Sequence, residues 1–151
     1  MILDTETFFN SGLPTSTDMS GQEVIFAIKT VEQYYVKPRL GAELYADIVD
    51  NTDNYTEAIN GSNTIAGLKI AIEHLVYAYL LWDRTRLTRY TTVVKNDEHS
   101  TEPNSADLFQ ICKAHWEIGE AFIQEVCKFL QAPEPKHPLP NLIFGELMLG
   151  L

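Results

Sequence analysis

The chain has 151 residues, the length of one domain, with 21 acidic against 11 basic residues and a formal net charge of −10. That balance argues against nonspecific wrapping of duplex DNA, which runs on lysine and arginine. The composition is 45% apolar and 21% charged, ordinary for a globular domain that needs no disulfide or metal staples.

Residues 1–19 are expected to form an arm with little regular structure, because "NSGLPTSTDMSG" is rich in turn formers. Phe8 and Phe9 are its expected anchors on the core. The N-terminus has neither a basic region nor a long apolar stretch, so no signal peptide is expected. No run of about 18 apolar residues occurs, so no membrane span is expected.

A helical bundle is predicted over 20–132. "SGQE" supplies Ser20 as N-cap and Glu23 three residues on, a capping box. Val24, Ile28, Val31 and Tyr35 then form one helical stripe. Pro38 is expected to end that helix, since the residue before a proline is pushed out of the α region. Gly41 supplies a tight turn or a close backbone approach. Leu40, Leu44 and Ile48 mark a second, short helix. Residues 51–63 read as a polar connector, with Tyr55 and Ile59 as contacts back to the core.

A long central helix is predicted from about Thr64 to Leu87. Leu68, Ile72, Leu75, Tyr79 and Trp82 form its main stripe, widened by Ile65, Val76, Leu80 and Leu81. Residues 90–104 read as a short β-like arm and a loop. The last long helix starts near Asn104 or Ser105, with Leu108, Ile111, His115, Ile118, Phe122, Val126 and Phe129 predicted along one face. Prolines 133, 135, 138 and 140 then stop any helix. An extended tail over 133–151 ends in the apolar "NLIFGELMLGL". The fold class is therefore mostly α: a single domain of about four helices with a β-like arm and an extended tail.

Little in the sequence suggests catalysis. His74, His99, His115 and His137 fall in no metal-protease pattern, and no phosphate-binding glycine loop occurs. His115 lies on an apolar stripe and reads as a core or interface histidine. Cys112 and Cys127 share the last predicted helix, about 22 Å apart along its axis. They are too far apart to bond to each other, and read as reduced, buried thiols of a cytosolic assembly compartment. No catalytic residue, metal or cofactor is assigned, and an enzyme is not expected. Arg84, Arg86, Arg89 and Lys95 cluster in an otherwise acidic chain. They suit either the solvated C-terminal end of a helix or an electrostatic contact with an acidic neighbour.

The stretch "YYVKPRLGAELYADI", residues 34–48, carries a resemblance. Val36, Pro38, Leu40, Gly41, Leu44, Tyr45 and Ile48 stand where a similar elbow occurs in phage head–tail connector proteins, also called head-completion or adaptor proteins. The likeness is to the variety in phages and prophages of Bacteroidetes-type hosts. Val36 and Ile48 depart mildly from the Ile and Leu usual there. The order of later elements also resembles that family, although only about 25 residues match in letters.

The resemblance implies a structural virion protein at the head–tail junction, made and assembled in the host cytoplasm. It implies a homo-oligomeric ring, usually twelvefold, between portal and tail, with DNA passing through without specific binding. The partners would be other copies of the chain, the portal protein and tail or further connector proteins, with no membrane. The expected interaction residues are Arg84, Arg86, Arg89 and Lys95, the arm residues Val93 and Val94, and Leu142, Ile143, Phe144, Leu147 and Leu149 of the tail. The rival expectation is a small cytosolic helical enzyme or ligand-binding bundle, with Cys112, His115 and Trp116 around a pocket.

Overall fold

The computed structural model describes residues 1–15, 19–90 and 105–131, and the side chains of all of these except 84–90 and 105–106. The fold is mostly helical, with no strand among the described residues. Of the arm expected at 90–104, Tyr90 is instead the last residue of a helix; residues 91–104, with Val93, Val94 and Lys95, and the tail over 133–151 lie outside the described residues.

The first segment differs from expectation. Asp4 accepts hydrogen bonds from the backbone N–H and hydroxyl of Thr7, both 2.8 Å. This N-cap starts a short helix, α1 (Thr5–Phe9). Phe8 is fully buried as expected, but Phe9 is 38% exposed, and the other anchors are Ile2 and Leu3.

Helix α2 (Gly21–Val31) begins at the predicted capping box: Ser20 accepts from the Glu23 N–H, and Glu23 accepts from the Ser20 N–H. Val24, Ile28 and Val31 are buried. Pro38 does not end the helix. Helical backbone continues through a π turn (Glu32–Val36) and a last α turn, α3 (Lys37–Leu40). A proline ring inside a regular helix would strike the carbonyl four residues back, and the wider π turn placed just before it relaxes that clash.

The break falls at Gly41, with φ +88° and ψ 144°, a combination that residues with a β-carbon hardly adopt. A β-carbon there would meet no atom within 4 Å. Backbone conformation, rather than crowding, therefore selects glycine. Helix α4 (Ala42–Asp50) follows and buries Ile48. The expected polar connector is itself helical: a 3-10 turn (Thr52–Tyr55) leads to α5 (Thr56–Asn60), with Ala58 and Ile59 buried.

The central helix α6 (Leu68–Tyr90) starts later than Thr64. The Ser62 N–H instead closes a turn onto the Ile65 carbonyl, and the first helical bond runs from the Ala71 N–H to Gly67. Leu68, Ala71, Ile72, Leu75, Val76, Ala78 and Leu80 are buried, so α6 is covered on several sides as predicted.

Helix α7 (Ser105–Phe129) packs antiparallel to α6: His115 meets His74 and Phe109 meets Trp82. Its inward face is rotated from the predicted one: Val126 is buried as predicted, and His115 and Phe122 meet His74 of α6. Cys112, Trp116, Gly119, Ile123 and Val126 face the core, while Ile111, Ile118 and Phe129 are 42%, 38% and 44% exposed. Gly119 explains the rotation. A β-carbon on it would lie 2.7 Å from Leu75 Cγ and 2.9 Å from the Ala71 carbonyl oxygen. The two helices thus approach most closely along a line where α7 has no side chain, and that line sets the buried face. Among the described residues no helix is long and apolar enough to cross a membrane.

Candidate functional site

The elbow is held by a buried carboxylate that the sequence reading passed over. Glu32 opens the π turn and is only 2% exposed. Its Oε1 accepts the backbone N–H groups of Ile2 and Leu3, both at 2.9 Å, and its Oε2 accepts Ile2 again at 3.0 Å. The Tyr45 hydroxyl of α4 donates to Oε2 at 2.5 Å. A carboxylate can be buried only when its lone pairs are occupied, as they are here. Burial first, then the bond to Glu32, pushes the Tyr45 hydroxyl well above the ordinary phenol range. Glu32 thus ties three separate segments together: the N-terminal arm, the π turn and the helix after the elbow. The signal was present in the sequence, since Glu32 stands four residues after Ile28 on the α2 stripe, a charge in an apolar row.

The elbow also binds α7. Arg39 pairs with Glu120 at 3.1 Å, both half-buried. The Cys127 thiol lies 3.9 Å from the Arg39 carbonyl. Tyr35 meets Trp116 edge to face with ring centroids 4.8 Å apart. Of the elbow residues, Val36, Leu40 and Ile48 are buried, and Leu44 and Tyr45 pack half-buried against the same core.

A second polar cluster joins α6 to α7. The Nδ1 atoms of His74 and His115 are 2.8 Å apart. The ring planes lie within 24° of each other and the centroids are 5.1 Å apart. The centroids are farther apart than the nitrogens by about two ring radii, so the rings meet end to end rather than face to face. One Nδ1–H therefore donates to the other ring's bare Nδ1. Burial lowers the pKa of both histidines, and for His74 the neighbouring His115 adds to this. The Tyr77 ring packs edge-on against His115, and Phe122 against His74. His115 is thus an interface histidine, as its stripe suggested. Among the described residues no group of three or more metal-binding side chains occurs.

Cys112 and Trp116, expected by the rival reading to line a pocket, are buried in the packing between helices. Burial pushes the Cys112 thiol up to about 11 and raises Cys127 as well, which suits inert packing thiols. Arg84, Arg86 and Arg89 fall in the last two turns of α6. Their partner in the predicted cluster, Lys95, lies outside the described residues, as do Val93, Val94, Leu142, Ile143, Phe144, Leu147 and Leu149.

Among the described residues, exposed large apolar side chains gather on two surfaces in particular. One is the outer face of α7, with Ile111, Ile118 and Phe129. The other is a groove of about 530 Å3 beside the elbow, where Phe26 and Tyr34 stand 64% and 68% exposed.

Residues 36–141 match a family described as a family of unknown function, DUF6712. The match opens on Val36 at the elbow and takes in all of α4 to α7. No curated protein and no solved structure matches the chain.

Proposed function

The chain belongs to the DUF6712 family, and we propose that it is a structural virion protein: a head–tail connector subunit that forms a ring between portal and tail. The elbow carries this reading. Val36, Pro38, Leu40, Gly41, Leu44, Tyr45 and Ile48 resemble the connector pattern, with Val36 and Ile48 as mild departures, and here they lie at a corner specified by one glycine and locked by Glu32. A rigid corner suits a subunit that must hold two surfaces at a set angle to its neighbours.

Further support comes from the surface. Exposed apolar side chains on both α2 and α7 are costly on an isolated protein and are covered when copies associate. The formal charge of −10 per copy would line a channel with negative potential, so that DNA slides rather than sticks. Arg84, Arg86 and Arg89, with Lys95, would face acidic groups of an adjacent copy or of the portal, and Val93 and Val94 would add backbone contacts there. The ligand-binding alternative has less support, because Cys112, His115 and Trp116 pack against other side chains.

The test is sedimentation of the wild-type chain and of the triple variant Arg84→Glu, Arg86→Glu, Arg89→Glu, alone and with portal protein, at low and high salt. The connector reading expects assembly that weakens with salt and with the charge reversal, at unchanged helicity. A wild-type chain that stays monomeric and ignores the portal under all conditions would overturn it.

A further inference from the structure

The groove beside the elbow has a definite chemistry. Met1, Phe26, Tyr34 and Tyr45 supply apolar walls, and Lys29 and Gln33 stand among its lining residues. Glu32 also borders it, but its carboxylate is already engaged by Ile2, Leu3 and Tyr45. Lys29 has no ion-pair partner among the described residues. The groove therefore asks for an apolar segment carrying a single acid.

The chain contains one such segment, outside the described residues. "NLIFGELMLGL", residues 141–151, has Glu146 as its only charged side chain, flanked by Leu142 and Phe144 on one side and Leu147 and Leu149 on the other. Helix α7 leads away from the groove of its own copy. Trp116 lies beside Tyr35, and Glu120 and Cys127 lie beside Arg39. Helix α7 therefore runs past the elbow in the same sense as α2 and α3. At Phe129 the chain is heading away from Phe26 and the body of its own groove. Residues 133–140 contain four prolines. In a head-to-tail ring the groove offered to each tail is the one on the next copy.

We propose that residues 141–151 of one copy dock in the elbow groove of the next, with Leu142 and Phe144 against Phe26 and Tyr34, and Glu146 facing Lys29. This rests on the ring reading and adds the pair of surfaces that would close the ring. It leaves the outer face of α7 free for portal or tail proteins.

The experiment uses full-length chains. Phe26→Cys and Phe144→Cys are made separately, mixed and mildly oxidised. Phe26 is exposed, so its replacement spares the core, and the buried native thiols react slowly. A disulfide joining one chain of each kind is expected. Its yield should fall several-fold with Lys29→Glu and recover when Glu146→Lys is added to the partner chain. A double variant, Phe26→Cys with Phe144→Cys, that closes within a single chain at high dilution would overturn the proposal in favour of the chain's own tail. Rings that form without any such disulfide would overturn it while leaving the connector reading standing. Chains that neither cross-link nor associate would sink both.

Discussion

Replacing Glu32 with alanine tests the elbow most sharply. The carboxylate receives two backbone N–H groups, from Ile2 and Leu3, and the Tyr45 hydroxyl. A buried donor left without a partner costs about 1–3 kcal/mol, and a hydrogen bond to a charged group contributes about 1.5–3 kcal/mol. Three such donors set an upper range near the whole stability of a small domain, about 5–15 kcal/mol. The arm offers partial relief, because residues 1–9 can detach and let their amides reach water. Detachment in turn exposes Leu3 and Phe8, which are 1% and 0% exposed in the folded protein. The expected loss is about 3–5 kcal/mol, the usual cost of breaking a buried charge network. Tyr45→Phe removes only one donor and should cost about 1–2 kcal/mol. Urea denaturation measures both, and amide exchange at Ile2 and Leu3 should quicken in Glu32→Ala before global unfolding. A Glu32→Ala protein within about 0.5 kcal/mol of wild type, the spread of ordinary surface substitutions, would refute the claim that this carboxylate locks the elbow.

At Gly41, Ala and Val should each cost about 1–3 kcal/mol, and by similar amounts, because strain at φ +88° acts without crowding. A thermal melt showing both at wild-type stability, or Val far worse than Ala, would contradict this. Gly119→Ala places a β-carbon against Leu75 and the Ala71 carbonyl. It should cost about 1–3 kcal/mol by overpacking, and an unchanged melt would contradict the close α6–α7 approach. The histidine pair predicts a pH dependence. Both folded pKa values lie below the ordinary value of 6.5, so as pH drops through that value the unfolded chain binds more protons and stability decreases as the pH decreases. Double protonation would also set two N–H groups head to head. Against wild type, the double variant His74→Leu, His115→Leu should show a shallower loss of melting temperature from pH 7 to pH 5, and an identical slope would exclude the pair as its cause.

The elements legible in the sequence were those set by local chemistry. The capping box at Ser20 and Glu23 depends on residues three apart, and the central place of α6 follows from apolar residues on several of its faces. Gly41 was legible as a turn because few other residues suit one. The misses were set by distant partners. Pro38 reads as a stop until the π turn before it is known. Helix α7 carries apolar residues on two faces, and only the bare backbone of Gly119, pressed against Leu75, decides which face turns inward. Glu32 needs the N–H groups of Ile2 and Leu3, some thirty residues earlier, and so reads alone as a misplaced charge. Ile111, Ile118 and Phe129 look like core residues in the sequence, yet they are exposed on the outward side of α7.

The ring proposed for this chain is one of its own copies, closed on a portal. Negative-stain electron microscopy of the full-length chain mixed with purified portal protein tests it most directly. Closed, rotationally symmetric rings of this chain, coaxial with the portal and enclosing a central channel, are expected. Portal particles left bare beside a chain that remains monomeric would contradict it.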